Sequence, residues 1–487
     1  MLSVFTWRFL KPGMLFVFFA AAGCEKFVEP DAPATSVNEE NVYKSDATAI
    51  AVLTGIYARM ATNGLFTGSG GISFLSGLSA DELTLAGVVT ENRLIAYYRN
   101  ELRTTPNENY GIDVWRDIFY YIFQSNAAIE RVGNATTLSA SVKQQLLGEA
   151  RFMRAFFYFY LVNLVGEAPL VLTTEAAINA VLPRSPVPVV YQQIVADLKE
   201  AQQLLSENYL NKDLQIYAGT PERVRPTKWA ATALLARTYL YLADYANAET
   251  EASKIIDNNP RFSLPALNNV FLKNSDEAIW QLQPVQAARN TEDAFTFTLP
   301  VTGPNATANP VYLSPQTLHA FEPGDGRRKG GNWIDSVIVS GTNYFYPAKY
   351  KATTASGAAS EYLMVFRLAE LYLVRAEARA QQNNIGDARD DLNTIRTRAG
   401  LPGTKANDKA SLVTAVLNER QVEFFTEWGH RWLDLKRTGN VGAIMSVVTP
   451  LKANGRAWQS YQQWYPVLYN DILLNPRLSQ NSGYQTP

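Results

Sequence analysis

A cluster of acidic and basic residues near the C-terminus has the residue types for acid–base chemistry. Glu423, Glu427 and Asp434 lie close together in the chain, with Arg431 and Arg437 among them. Two carboxyl groups that face one substrate cleft are the machinery of glycoside hydrolysis. Glu427 and Arg431 are also four positions apart with the acid first, which is a favourable ion pair on a helix. We therefore interpret these residues as an ion-pair network that holds a helix to its neighbours, and we predict that the protein is not an enzyme.

Two other stretches, residues 81–100 and 331–346, combine aromatic rings with polar side chains. Pyranose rings present C–H faces that stack on aromatic rings, while Asp, Asn and Arg side chains hydrogen-bond the hydroxyl groups. We expect such residues on loops, because loops often carry function. For the aromatic residues, burial or a subunit contact is the alternative, and an acidic residue could instead cap a helix or fix a loop. The candidate ligand-binding residues are Asp81, Arg93, Tyr97, Tyr98, Asn100, Trp333 and Tyr344.

The composition argues against several classes of function. The 487 residues include 44 Lys and Arg against 45 Asp and Glu, so the net charge is −1. This balance argues against nucleic acid as the main partner, because phosphate binding needs an excess of basic residues on some face. Two His and one Cys leave few ligands for zinc, haem or iron–sulfur sites. We predict no metal site and no cofactor.

The N-terminus has the pattern of a secretory signal. Arg8 and Lys11 precede a short apolar run, residues 14–22, which is too short to span a bilayer. The run is followed by Gly23 and Cys24, a pattern that resembles the bacterial lipobox, although Ala21 stands where that motif usually has Leu. We predict a signal peptide over residues 1–23, lipid attachment at Cys24 and a tether to residue 40. An ordinary signal peptide with a chance cysteine is the alternative.

The rest of the chain, residues 41–487, predicts one mainly α-helical domain. Residues 41–260 form a helical part, residues 261–360 a loop-rich region with short strands, and residues 361–487 a second helical part with an extended tail. Residues 64–88 are rich in Gly and Ser and predict a loop. The helices are predicted at residues 46–62, 110–131, 141–165, 189–206, 227–244, 246–257, 363–382, 386–398 and 409–436.

Two of the predicted helix pairs resemble tetratricopeptide repeats. Ala236 and Ala248 are twelve residues apart, and so are Ala376 and Ala388. This is the distance between the two small residues at which such antiparallel helices pack closely. A generic helical hairpin with alanines at the contact is the alternative. Either interpretation predicts a scaffold of helix pairs and names no ligand.

Five blocks, in order along the chain, resemble the SusD/RagB family. The resemblance covers most of the chain after the lipobox-like segment. The blocks are residues 149–170, 366–378, 392–400, 418–437 and 475–484.

This resemblance implies a lipoprotein on the outer surface of the outer membrane. Family members are expected to bind a nutrient, usually an oligosaccharide, and to pass it to a partner TonB-dependent transporter of the SusC type. A peptide-capturing, RagB-like protein of the same architecture is the alternative. The resemblance also implies four tetratricopeptide-like helix pairs beneath a variable loop-rich face. It points to the same two stretches for the ligand, but it aligns no individual binding residue.

Overall fold

The computed structural model describes residues 42–62, 64–257, 260–354 and 357–486. The expected signal peptide, Cys24 and the whole of the tether lie outside these residues. Seventeen α-helices and eight short strands occur in the part of the chain that is described. The helices are α1 (Asp46–Met60), α2 (Ile72–Ser79), α3 (Asn92–Arg99), α4 (Asp113–Asn134), α5 (Ala140–Leu164), α6 (Ala176–Asn179), α7 (Val187–Leu204), α8 (Lys228–Tyr241), α9 (Tyr245–Ile256), α10 (Glu292–Phe297), α11 (Pro315–Ala320), α12 (Leu368–Gln381), α13 (Ile385–Arg398), α14 (Lys409–Glu423), α15 (His430–Arg437), α16 (Val441–Lys452) and α17 (Tyr469–Leu474).

The strands form four antiparallel pairs of two. They are β1 (Leu83–Leu85) with β5 (Val311–Leu313), β2 (Arg103–Thr104) with β3 (Asn109–Tyr110), β4 (Ala278–Leu282) with β8 (Leu363–Arg367), and β6 (Ile334–Val339) with β7 (Thr342–Pro347). The prediction of a mainly α fold with short strands in a loop-rich region is therefore confirmed. Among the described residues, no helix is both long enough and apolar enough to cross a membrane.

The aromatic helix α5 lies at the centre of the main core. It packs against α4 on one side and α7 on the other. Its residues are buried on nearly every face, which is why its sequence is apolar with little periodicity. Phe156 makes edge-to-face contacts with Trp280 of β4 and with Trp428, at ring-centre distances of 5.6 Å for both. These contacts join the two helical parts through one aromatic core.

The alanine pairs lie where two antiparallel helix pairs pack. Ala236 of α8 and Ala248 of α9 are fully buried, and so are Ala376 of α12 and Ala388 of α13. Helix α12 also packs against α9, so the two pairs adjoin. A methyl group at each contact lets the helix backbones approach closely, as the twelve-residue spacing predicts.

Several segments differ from the sequence predictions. The predicted helix 363–382 begins with strand β8, Leu363–Arg367, and becomes helical only at Leu368. Helix α2 lies inside residues 64–88, which were predicted as a loop, because its Leu and Phe side chains are buried. The predicted helix 409–436 is two helices, α14 and α15. Between them Thr426, Trp428 and Gly429 take left-handed backbone conformations, which an α-helix cannot contain. Helix α16 occupies part of the predicted extended tail, with Pro450 in its last turn.

Candidate ligand-binding site

The charged residues near the C-terminus form a buried ion-pair network rather than an open cleft. Arg367 of β8 donates to Glu423 and Glu427 at 2.6–2.9 Å, and Lys349 also binds Glu427. Burial opposes ionisation of Glu423, but the neighbouring Arg398, Arg367 and Arg327 hold its pKa well below the usual range. The ion-pair interpretation is confirmed. The predicted Glu427–Arg431 pair is wrong, because the bend after Phe424 turns Arg431 toward another partner.

That partner is Asp81, which follows α2. Arg431 Nε and Nη2 donate to the two carboxylate oxygens of Asp81 at 2.8 and 2.7 Å. Asp81 is 4% exposed. Its carboxylate is thus used inside the protein, where it fixes the start of the segment that leads into β1. We leave Asp81 out of the candidate ligand contacts for this reason.

Arg93 and Tyr97 of α3 are engaged with a neighbouring carboxylate. The Tyr97 hydroxyl donates to Asp113 Oδ2 at 3.3 Å, and Arg93 Nη1 lies 3.7 Å from the same oxygen. Tyr97 is fully buried, with its ring 5.3 Å from that of Tyr465. Arg93 also binds Glu91 at 3.0 Å and remains partly exposed. Tyr97 is therefore a packing residue. Arg93 is held by Glu91, just before α3, and by Asp113 of α4.

Asn100 and Trp333 are also buried. Asn100 ends α3 in a left-handed conformation (φ 55°), and its Nδ2 donates to the Ser79 carbonyl oxygen at 3.1 Å. Trp333 is fully buried, and its Nε1 donates to the Leu267 carbonyl oxygen at 2.9 Å. Neither residue presents a face to a ligand. Asn100 instead ties the end of α3 to the end of α2.

Tyr98 and Tyr344 are the two predicted aromatic residues that stay half-buried, and Tyr312 of β5 joins them. The rings of Tyr312 and Tyr344 meet edge to face with 5.1 Å between their centres. Burial raises the pKa of Tyr98, and the neighbouring Tyr312 raises it further. We call Tyr98, Tyr312 and Tyr344 the tyrosine cluster.

Short strands and one buried lysine hold the tyrosine cluster in place. Strand β1 pairs with β5 so that Thr84 lies opposite Tyr312, and the Thr84 hydroxyl opposes the rise in the pKa of Tyr98 that burial causes. Lys452 Nζ donates to the carbonyl oxygens of Leu78 and Ala80 and lies 4.9 Å from the centre of the Tyr98 ring. Helix α3 and strands β5 and β7, which are distant in sequence, therefore bring the three partly exposed tyrosine rings together.

Tyr312 is the residue that the sequence analysis missed. It lies in the loop-rich region, on a strand of only three residues, Val311–Leu313. The Tyr hydroxyl between two aliphatic residues, Val311 and Leu313, is the trace of strand alternation in the sequence that could have found it. That signal is weak over so short a run.

Two family models match separate parts of the chain. The model described as the SusD family matches residues 323–484, and one described as "Starch-binding associating with outer membrane" matches residues 75–240. The tyrosine cluster has members in both matched stretches: Tyr98 in the second and Tyr344 in the first.

Known proteins resemble the chain over most of its length. A SusD-like protein of Formosa agariphila is 24% identical, covering 97% of this chain and 98% of its own. The starch-binding protein SusD of Bacteroides thetaiotaomicron is 33% identical over 171 residues, which cover 33% of this chain and 29% of that protein. A solved structure described as a laminarin-binding SusD-like protein has the same fold, with a TM-score of 0.72, 21% identity and coverage of 91% of this chain and 100% of its own.

Proposed function

Because this chain belongs to the SusD/RagB family, we propose that it binds an oligosaccharide at the tyrosine cluster and passes it to an outer-membrane transporter. The observation that carries the proposal is the edge-to-face contact of Tyr312 and Tyr344 beside Tyr98, with all three rings half-buried. Such rings offer apolar faces on which the C–H faces of a pyranose can stack. The names of two relatives, which bind starch and laminarin, support a glycan as the ligand.

The residues around the cluster suit an uncharged sugar. Two cations lie near Tyr98: Arg99, which follows it on α3, and Lys452, which already donates to backbone carbonyl oxygens of the α2 end. Burial lowers the pKa of Lys452 to about 7, while Asp81 opposes this shift. The sugar hydroxyls would then be bound by neutral groups such as the tyrosine and Thr84 hydroxyls. Binding would rest on stacking and neutral hydrogen bonds.

The test is a calorimetric binding screen of the purified protein against plant, fungal and animal polysaccharides and a peptide digest. We expect one neutral glycan class to bind. Replacing Tyr98, Tyr312 or Tyr344 by Ala should weaken binding about tenfold each, the change that corresponds to ~1.4 kcal/mol. Tyr344→Phe should keep most of the affinity, because the ring is retained. Tyr245→Ala, which removes a half-buried ring on α9, is the matched control. Binding of peptides alone would contradict the proposal and favour the RagB-like alternative.

The transporter partner and the lipid anchor are further parts of the proposal. The family membership and the lipobox-like segment ending at Cys24 support them. A TonB-dependent barrel of the SusC type should copurify with the protein in mild detergent. Cys24→Ser should release the protein from the membrane fraction, and mass spectrometry of the native protein should find acyl chains on Cys24. Absence of both the barrel and the acyl chains would contradict this part.

A further inference from the structure

A pocket lies between α1 and α4, and none of its lining residues belongs to the tyrosine cluster. Its volume is about 950 Å³, which is large enough for a short oligosaccharide. One wall is the C-terminal half of α1, from Val52 to Arg59, and the other is the part of α4 from Arg116 to Gln124. Val285, which is 45% exposed, borders it on a third side. We call it the α1–α4 pocket.

Arg59, an exposed residue in the lining of this pocket, contacts the Tyr120 ring and has no carboxylate partner among the described residues. Its guanidinium carbon lies 4.2 Å from the centre of the Tyr120 ring, and its charge opposes the rise in the pKa of Tyr121 that burial causes. Within the described part of the chain, no ion pair joins Arg59 to an acidic side chain. A guanidinium has five N–H donors in one plane, in a geometry that fits the two oxygens of a carboxylate. The contact with Tyr120 positions the guanidinium group of Arg59 for binding an anion.

The neighbouring charges leave the pocket positive. Arg116 also lines it, but its Nε is paired with Asp117 Oδ1 at 2.7 Å. The lining has two arginines and one carboxylate, and Asp113 Oδ1 also lies 3.9 Å from Arg116 Nη2, so the carboxylates of this region pair with Arg116 and leave the charge of Arg59 without an ion pair. Because Arg116 already has a partner, an incoming anion would bind Arg59.

The other lining groups suit a sugar ring rather than a simple anion. Tyr120 is 41% exposed and so still presents ring surface beside Arg59. Thr62, Gln124 and Asp117 supply both donors and acceptors around it. An aromatic face with hydrogen-bonding side chains of both kinds is what a pyranose and its hydroxyls require. A phosphate or a free inorganic anion would leave these groups unused.

We propose that the α1–α4 pocket is a second binding site, for a sugar that carries a carboxylate. The uronate carboxylate binds Arg59, the pyranose ring packs against Tyr120, and Asp117 and Gln124 bind ring hydroxyls. The site does not depend on the tyrosine cluster, so it stands or falls separately from the function proposed above.

The test uses hexamers of galacturonate, mannuronate and glucuronate, each compared with its carboxyl-reduced, neutral analogue. Calorimetry with the purified protein should show binding of at least one acidic hexamer and at least tenfold weaker binding of its neutral analogue. Arg59→Gln and Tyr120→Ala should each lower the affinity for the acidic hexamer at least tenfold. Arg103→Gln, which removes another exposed arginine, should have no effect.

Two further measurements separate this site from the tyrosine cluster. The double variant Tyr98→Ala/Tyr344→Ala should bind the acidic hexamer as the native protein does, whether or not any neutral glycan binds. A hexamer of glutamate, which offers carboxylates without a sugar ring, should bind more than tenfold more weakly than the uronate. The proposal is overturned if none of the acidic hexamers binds, if Arg59→Gln or carboxyl reduction leaves affinity unchanged, if the double variant loses the binding, or if the glutamate peptide binds equally well.

Discussion

Asp81 and Arg431 are 350 positions apart in the chain, yet they form a bidentate ion pair. Arg431 Nε lies 2.8 Å from Asp81 Oδ1, and Arg431 Nη2 lies 2.7 Å from Asp81 Oδ2. The pair joins the segment after α2 to the first turn of α15. Both side chains are largely buried, with 5% and 13% of their surface exposed. Because β1 begins two residues after Asp81 and pairs with the strand that carries Tyr312, this ion pair links the C-terminal helices to the tyrosine cluster.

Breaking this pair should destabilise the fold. Asp81→Asn leaves the guanidinium of Arg431 without its carboxylate, and losing one partner of a buried pair costs ~3–5 kcal/mol. We expect a fall of about that size in the free energy of unfolding, measured by denaturant titration. Asp213→Asn removes an exposed partner of Lys212 and should change stability by less than ~1 kcal/mol. Equal effects of the two variants would contradict the structural role given to Asp81.

Glu82, the next residue, should make stability depend on pH. It is 1% exposed, and burial, followed by the charge of Asp81, raises its pKa to about 8, although the Thr426 amide, Arg431 and Lys349 oppose the shift. Between pH 4.5 and 8 the folded protein therefore holds a proton that the unfolded chain has released. Since the unfolded state binds fewer protons, the free energy of unfolding falls as pH rises through this window.

Glu82→Gln should remove this part of the pH dependence. Denaturant titrations from pH 4.5 to 9 should show a smaller fall for the variant than for the native protein, because Gln resembles the protonated acid. Subtracting the two curves removes contributions that they share, such as that of Asp293, whose pKa burial raises to about 6. Glu167→Gln, at an exposed position, is the control. Parallel curves for native protein and Glu82→Gln would show that Glu82 is ionised in the fold.

The sequence predicted the long helices well because their apolar positions repeat over many turns. It could not separate Tyr97 from Tyr98, since both are aromatic and adjacent on α3. Which of them is buried depends on the Asp113 carboxylate and the Tyr465 ring, which other segments bring to that place. Trp333 was chosen for its residue type, but contacts with the Leu267 carbonyl and Phe271 bury it. Tertiary packing, rather than local pattern, decides which aromatic side chains remain accessible.

Trp333 and Tyr344 should therefore respond differently to the same substitution. Trp333→Ala empties a fully buried site, so we expect a loss of ~3–5 kcal/mol in the free energy of unfolding. Tyr344→Ala removes a half-buried ring and should cost ~1 kcal/mol or less. Denaturant titration gives both values, and glycan binding by Tyr344→Ala is measured on protein that remains folded. A small stability loss for Trp333→Ala would place its ring at the surface and return it to the candidate site.

The close packing of the helix pairs can be tested at two alanines of one helix. Ala248 of α9 is fully buried in the pair with α8, whereas Ala246, two positions earlier, is exposed. Ala248→Leu forces a larger side chain between the helices, and such overpacking costs ~1–3 kcal/mol. Ala246→Leu adds the same atoms on the solvent side, where the effect should be within ~0.5 kcal/mol. Thermal unfolding of the two variants compares them directly. If both lower the melting temperature equally, helix propensity rather than close approach governs α9, and the tetratricopeptide-like interpretation of the pair loses its physical basis.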